Sequence, residues 1–439
     1  MKRELIDSNI EWLGKIPTSW ILQPLKRVIN ERNELNKSEK ETFLLSLTIQ
    51  DGIIPYSEKN GGGNKAKEDI SKYKIVKKND IVINSMNVVV GASGISKYDG
   101  LVSPVYYVFS ETNKSCGRFY NYLFLNQTFE NHLFGLGNGI LVKINEDNGK
   151  MNTIRKKIPI DKLKNEFVPV PPLEEQIKIS NYLDDKVSLI DDTIKNNKRE
   201  IELLEEYKNQ RINELVTKGI NSSDYKYSGI ESIGDIPKDW KVRKLKFVAN
   251  SISKGNGITR EEVHENGDIQ CVRYGEIYTK YNNFFDKTFS KTYINQITSP
   301  KYISKGDILF AATGELLDEI GKNIVYLGDE PCIAGGDIII LNHSQEPRYL
   351  NYLLNSKSIQ EQKSFGKSKL KVVHIYPNEI SNIKIILPSL NEQKEIANYL
   401  DKMVIQLDKV IKYRMQIIEK LEEYKKSLIY EAVTGKIEV

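Results

Sequence analysis

No uncharged apolar run in this chain reaches the roughly 20 residues that a membrane-spanning helix needs, and 28% of its residues are charged. We therefore expect a soluble chain. The first residues, "MKRELIDSNIEWLG", lack the apolar core and small-residue cleavage site of a secretory signal, which points to the cytoplasm. Cysteine is scarce: Cys116, Cys271 and Cys332 are odd in number and far apart, as expected of buried, reduced thiols rather than a disulfide framework or a zinc site. Histidine is scarce too, and His132, His264, His343 and His374 have no metal-ligand spacing with Asp, Glu or Cys.

Catalytic signatures are also missing. "SFGKS" looks like the end of a phosphate loop, but Glu361 stands where the first glycine of that motif belongs. "GLGNG" at 135–139 is followed by Ile140 and lacks dinucleotide-binding spacing, so it reads as a loop. There is no G-x-S-x-G elbow and no Asp/Asn-Pro-Pro-aromatic run of an amino-methyltransferase. The chain reads as a non-enzyme with no cofactor or metal site of its own.

What the chain does have is repetition. With 439 residues it is long enough for two or three domains, and "PPLEEQIKISNYLDD" at 171–185 returns as "PSLNEQKEIANYLDK" at 388–402. Gln176 matches Gln393, 181–184 (NYLD) matches 398–401, 204–208 (LEEYK) matches 421–425, and Val216-Thr217 matches Val433-Thr434, with no gap between copies. Upstream, "IEWLGKIPTSW" ending at Trp20 returns as "IESIGDIPKDW" ending at Trp240. A whole half is thus duplicated. Between these landmarks the halves diverge, keeping traces such as "KKNDIVI" against "SKGDILF".

In the first copy Pro171-Pro172 ends an extended run, and Glu174 and Glu175 follow where carboxylates favour the positive end of a helix. Apolar residues then recur in heptads: Leu183, Val187, Ile190, Ile194, Ile201 and Leu204, interrupted by Asn197. The second copy gives Leu400, Val404, Leu407, Ile411, Ile418, Leu421 and Leu428, interrupted by Arg414 at the matching place. Two coiled-coil helices are expected, each of roughly 70 Å at about 1.5 Å per residue. If they pair antiparallel, Leu204 lies near Leu407 and Ile190 near Leu421; parallel pairing would set Leu204 beside Leu421. Asn197 and Arg414 should share a layer and could fix the register. Between the helices, short apolar runs such as "DIVINS", "GDILFAATG" and "DIIILN" read as strands, with helical stretches at "RFYNYLFLNQTFENHLF" and "PRYLNYLLNSKSIQEQ". The fold class is mixed α/β. The net charge is +5, and the excess lies outside the repeated helices, which puts any nucleic-acid surface on the larger segments.

The paired Pro-x-Leu-x-Glu-Gln helix openings, the Ile-Pro-x-x-Trp entries and the "AVTGKI" ending resemble the specificity subunit of type I restriction-modification enzymes over nearly the full chain. The resemblance implies target recognition domains at 1–170 and 220–387. It places spacer helices at 171–219 and 388–439 that pair as an antiparallel coiled coil with pseudo-twofold symmetry. It further implies a sequence-specific partner, double-stranded DNA read as a bipartite site. Two methyltransferase subunits would be seated on the helices, holding S-adenosylmethionine themselves. A motor and nuclease restriction subunit is left open. The alternatives are a structural coiled-coil scaffold and an orphan DNA-binding relative without methyltransferase partners. Loop position and side-chain chemistry, with the resemblance of "KGNGITR" and "VRYGE" to loops that approach DNA in the family, nominate DNA contacts. In the second domain these are Lys254, Asn256, Thr259, Arg260, Arg273, Tyr274, Lys367, Lys369 and Lys371. In the first they are Lys65, Lys67, Ser85, Asn87, Asn138, Arg155, Lys156 and Lys157. Arg273 has the fork geometry to bond guanine, whereas lysines suit phosphates.

Overall fold

A computed structural model describes residues 3–49, 51–59, 69–86, 92–137, 157–314, 316–368 and 373–439. It divides into two compact units, Met1–Lys198 with Met415–Val439, and Arg199–Arg414. Each unit therefore joins a strand-rich segment to part of both repeated helices. Those helices span Leu173–Lys218 and Leu390–Val433, the first beginning directly after Pro172 as its acidic first turn suggests.

In the first unit an antiparallel sheet runs in the order Ile29–Glu31, Tyr106–Glu111, Ile81–Asn84, Ser93–Ile95. Its central strand is apolar at consecutive positions because both faces are covered. Ile81 and Ile83 face a core shared with the helices, while Val82 and Val108 face a smaller core completed by Leu45, Leu47 and Ile53. The second unit repeats this logic. Its five-stranded sheet has the order Ala249–Lys254, Ile338–His343, Ile308–Ala311, Asn323–Tyr326, Phe284–Phe285. Ile308 and Phe310 face the helix-side core, whereas Leu309 and Ala311 face the core beside the other sheet. That four-stranded sheet is built from Ser290–Thr292, Ile269–Val272, Cys332–Ala334 and Tyr302–Ile303. The helical stretches expected from the sequence each break into two helices. Gly117–Phe124 is followed by Gln127–Leu136, and Pro347–Asn355 by Lys357–Ser364. Asn126 causes the first break, since its side chain accepts the Thr128 N–H at 2.9 Å and restarts the helix.

The repeated helices pack antiparallel within each unit. In the second, Lys208 bonds Asp408 at 2.8 Å and Glu200 pairs with Arg414, so ascending one helix descends the other. In the first, Lys425 reaches Asp191 at 2.7 Å, and Leu421 packs against the core that holds Leu183, Ile190 and Ile194. Leu204 lies in the other unit, half-buried like Leu407 and Ile201. Leu400, Val404, Ile411 and Leu428 are buried, and Val187 and Ile418 are partly so. Asn197 is 8% exposed and donates to the Thr193 carbonyl of its own helix at 2.9 Å. The three cysteines are free and buried. Among the described residues no helix is long and apolar enough to cross a membrane.

Candidate nucleic-acid interface

The duplicated letters of the sequence turn out to be fastenings between strand-rich segment and helix. Trp20 donates its indole N–H to Glu175 at 2.9 Å, and Trp240 donates to both oxygens of Glu392 at 3.1 Å. Gln176 and Gln393 are fully buried. Each side-chain amide bridges two backbone groups. Gln176 accepts from Cys116 N–H at 2.9 Å and donates to Pro171 O at 2.8 Å. Gln393 accepts from Glu346 N–H at 3.1 Å and donates to Pro388 O at 3.0 Å. Glutamine is needed because a carboxylate has no proton to donate and a shorter amide would not span the gap.

The repeated NYLD run forms the third fastening. Tyr122 donates to Asp184 at 2.8 Å, and Arg118 bonds both Asp184 and Asn181, the latter at 2.9 Å. Tyr352 donates to Asp401 at 3.0 Å, and Arg348 bonds Asp401 at 2.7 Å and Asn398 at 3.0 Å. Burial, reinforced by the aspartate, raises both tyrosine pKa values and keeps these phenols protonated donors. Arg118, Tyr122, Arg348 and Tyr352 escape the sequence reading, although the short match of "RFYNYL" to "RYLNYL" is the signal that marks them.

The strand-rich segments carry the diverged loops, and in the second unit three of these converge. Ala312 donates its N–H to Asp337 O and accepts from Ile375 N–H, both at 2.9 Å, which ties together the segments around Ala312, Asp337 and Ile375. The 254–257 loop joins them through Gly255 N–H to Ile338 O at 2.8 Å and Asn256 N–H to Ala334 O at 3.1 Å. Gly255 is required there, since a Cβ would lie 2.1 Å from the Gly335 carbonyl. Gly335 N–H bonds Val272 O at 2.8 Å, which brings Arg273 to the same place.

The nominated residues fall into distinct groups. Lys254 is exposed, with Asp337 3.6 Å away, and Thr259, Arg260 and Tyr274 are exposed. Asn256 turns inward and donates to Thr298 O and Ser299 O. Arg273 is partly exposed: its Nη2 lies 3.7 Å from the buried Glu276, and its Nε has no partner. Lys367 is not a free cation, because it bonds Glu379 at 2.6 Å and His374 O at 2.8 Å and so staples its own loop. In the first unit Ser85 is fully buried and donates to Val105 O at 2.6 Å, which withdraws its hydroxyl from any DNA surface. It is the counterpart of Ala312, accepting Ile158 N–H at 3.1 Å. Lys157, beside Ile158, is exposed. Lys65, Lys67, Asn87, Asn138, Arg155, Lys156, Lys369 and Lys371 lie outside the described residues.

Burial holds His343 down at about 4, and Lys363, fully buried against Gly321 O and Asn323, at about 7. No group of three His, Cys, Asp or Glu residues is placed to hold a metal ion among the described residues.

Two fastened, duplicated frames with divergent loops define a tandem recognition protein, and comparison with known proteins gives its family. The model of the type I restriction modification DNA specificity domain matches twice, at residues 31–206 and 237–423, and the chain belongs to that family. The type I restriction enzyme MjaVIII specificity subunit of Methanocaldococcus jannaschii is 31% identical over 68% of this chain and 69% of its own length. The putative MjaX specificity subunit of the same organism is 26% identical over 97% and 96%. The fold matches a structure solved for complex assembly and conformational transition of the type I R-M system, with TM-score 0.69 and 15% identity over 96% of this chain and 99% of that one. It also matches the HsdS subunit from Thermoanaerobacter tengcongensis, with TM-score 0.54 and 15% identity over 98% and 100%. The chain is a DNA-specificity protein of the type I restriction-modification class, with two recognition domains.

Proposed function

We propose that each unit reads one half of a bipartite duplex site through its diverged loops. In this reading the two long helices set the half-site spacing and seat two methyltransferase subunits. The observation that carries it is the contrast between the twice-built fastenings at Glu175/Glu392, Gln176/Gln393 and Asp184/Asp401 and the loops that differ around Ser85 and Ala312. One methyltransferase type can dock twice on a repeated frame, once beside each reader. Different loops give each reader its own half-site, and two major-groove faces one helical turn apart lie about 34 Å from each other. The chain acts without chemistry of its own, in the cytoplasm, and S-adenosylmethionine is held by the partner that flips and methylates the base. A motor and nuclease subunit can join the same assembly.

Methylation mapping tests this directly. Cells making the chain with its methyltransferase partner should show a methylated split motif that vanishes without the chain. A stable complex with no such motif would favour a scaffold. The purified chain alone should transfer no methyl group from S-adenosylmethionine, and its complex should bind DNA with an affinity that falls steeply as salt rises.

A further inference from the structure

Several aromatic side chains of the second unit are exposed, Phe247 at 72% and Phe289 at 68% among them. Phe365 is 88% exposed, the highest value among the large apolar side chains of the described residues, although burying such a ring is favourable. Its backbone is held in a defined turn. The helix Lys357–Ser364 ends at Phe365, whose φ and ψ are −57° and 129°, and Gly366 follows with φ +73°. Lys367 N–H closes the loop on Ser364 O at 3.1 Å. These are the features of a type II turn, with glycine at the position that needs positive φ. Lys367 locks the turn through Glu379 and the His374 carbonyl. Nothing lies within 4 Å of where a Gly366 Cβ would stand, so the turn is open at Gly366, beside the ring.

This turn belongs to the converging loops. His374 Nδ1 is 3.2 Å from Thr313 Oγ1, and Ile375 bonds Ala312, which bonds Asp337, the partner of Lys254. Its immediate neighbours are Ser364, Gly366, Lys367 and Ser368. A protein-docking hot spot is ringed by further contacts that exclude water. Lys367, two residues on, is held to His374 and Glu379, which flank Tyr376, itself 60% exposed, and exposed aromatic rings among polar groups suit the faces of bases. In the first unit the matching position, counted from Arg118 against Arg348, is Gly135.

We propose that Phe365 is a base-stacking wedge, its ring seated against a base at an opened step of the half-site read by the second unit. The inference rests on the DNA-recognition reading above. The rigid turn presents the ring with little entropy left to lose on binding, and an apolar wedge at a base step lets the duplex bend around more protein surface.

The test uses the full chain in its methyltransferase complex and a duplex carrying the mapped motif. Phe365→Ala should weaken binding on the order of 10-fold, with Phe365→Trp restoring it. The introduced tryptophan should also lose fluorescence on the motif duplex and not on one with a scrambled second half. Trp12, Trp20 and Trp240 are 8%, 3% and 2% exposed, and the wild-type complex titrated in parallel gives the background from these and from the partner's tryptophans. Wild-type affinity for Phe365→Ala with unchanged emission from Phe365→Trp would overturn the wedge while leaving DNA recognition standing. Loss of the methyltransferase from Phe365→Ala, with DNA affinity per assembled complex unchanged, would overturn it in favour of a protein contact. A wild-type complex that ignores the motif duplex would overturn the recognition reading and the wedge with it.

Discussion

The two units share their fastenings and differ in how deeply one of them, the arginine–aspartate pair, is buried. The side chains of Arg348 and Asp401 are 26% and 18% exposed, against 42% and 41% for Arg118 and Asp184. One motif thus does the same geometric work in two dielectric settings. A half-exposed pair is screened by water and contributes little, whereas a more buried one leaves a costly unpaired group when broken. The second unit also places Lys363 where the first has Leu133, one fully buried lysine against one buried leucine. Duplication kept the attachment chemistry and let the interior drift.

That comparison can be broken at several points. Trp240→Ala removes both the indole bond to Glu392 and a large core side chain, and should cost about 3–5 kcal/mol in urea denaturation. Asp401→Asn should cost roughly 1–3 kcal/mol, with Asp184→Asn below about 1 kcal/mol. Equal losses would contradict the burial argument.

Lys363 gives a pH signature. Its folded pKa, about 7, lies below the ordinary lysine value of 10.5, so above pH 7 the unfolded chain holds a proton that the folded chain has released. Stability from this group should rise with pH from about 7 to 10.5 and be flat below 7. Lys363→Met should remove that slope, which denaturation at a series of pH values would reveal. The smallest effect is expected at the helix midpoints. Asn197→Leu with Arg414→Leu loses the half-exposed Glu200 pair, worth about 0–1 kcal/mol. A shifted disulfide cross-linking pattern between the helices would support a register role, and an unchanged one would remove it.

Much of this was legible in the sequence because repeats, heptads and helix starts are local patterns. The first helix begins at Leu173, directly after Pro171-Pro172, and runs through Leu183, Val187 and Ile190 as the spacing requires. The seam left the direction of pairing open and the family resemblance implied the antiparallel sense, which the structure shows in pairs such as Lys208 and Asp408. The interface was less legible, because a lysine in a loop has the same letter whether it meets phosphate or, like Lys367, a carboxylate of its own chain. Ser85 looked like a polar loop residue and is buried under Val105 O. Phe365 went unnoticed because exposure is a tertiary property, although a residue before glycine at a helix end is a turn signal.

The central claim is that each unit reads its own half-site through the diverged loops on a shared frame. Methylation motifs should be mapped for the wild-type chain and for Lys254→Ala with Arg273→Ala, each expressed with the methyltransferase. The account predicts relaxed or altered specificity in one half of the motif, with the other half and the spacing unchanged. Changes in both halves, or an unaltered motif, would contradict it.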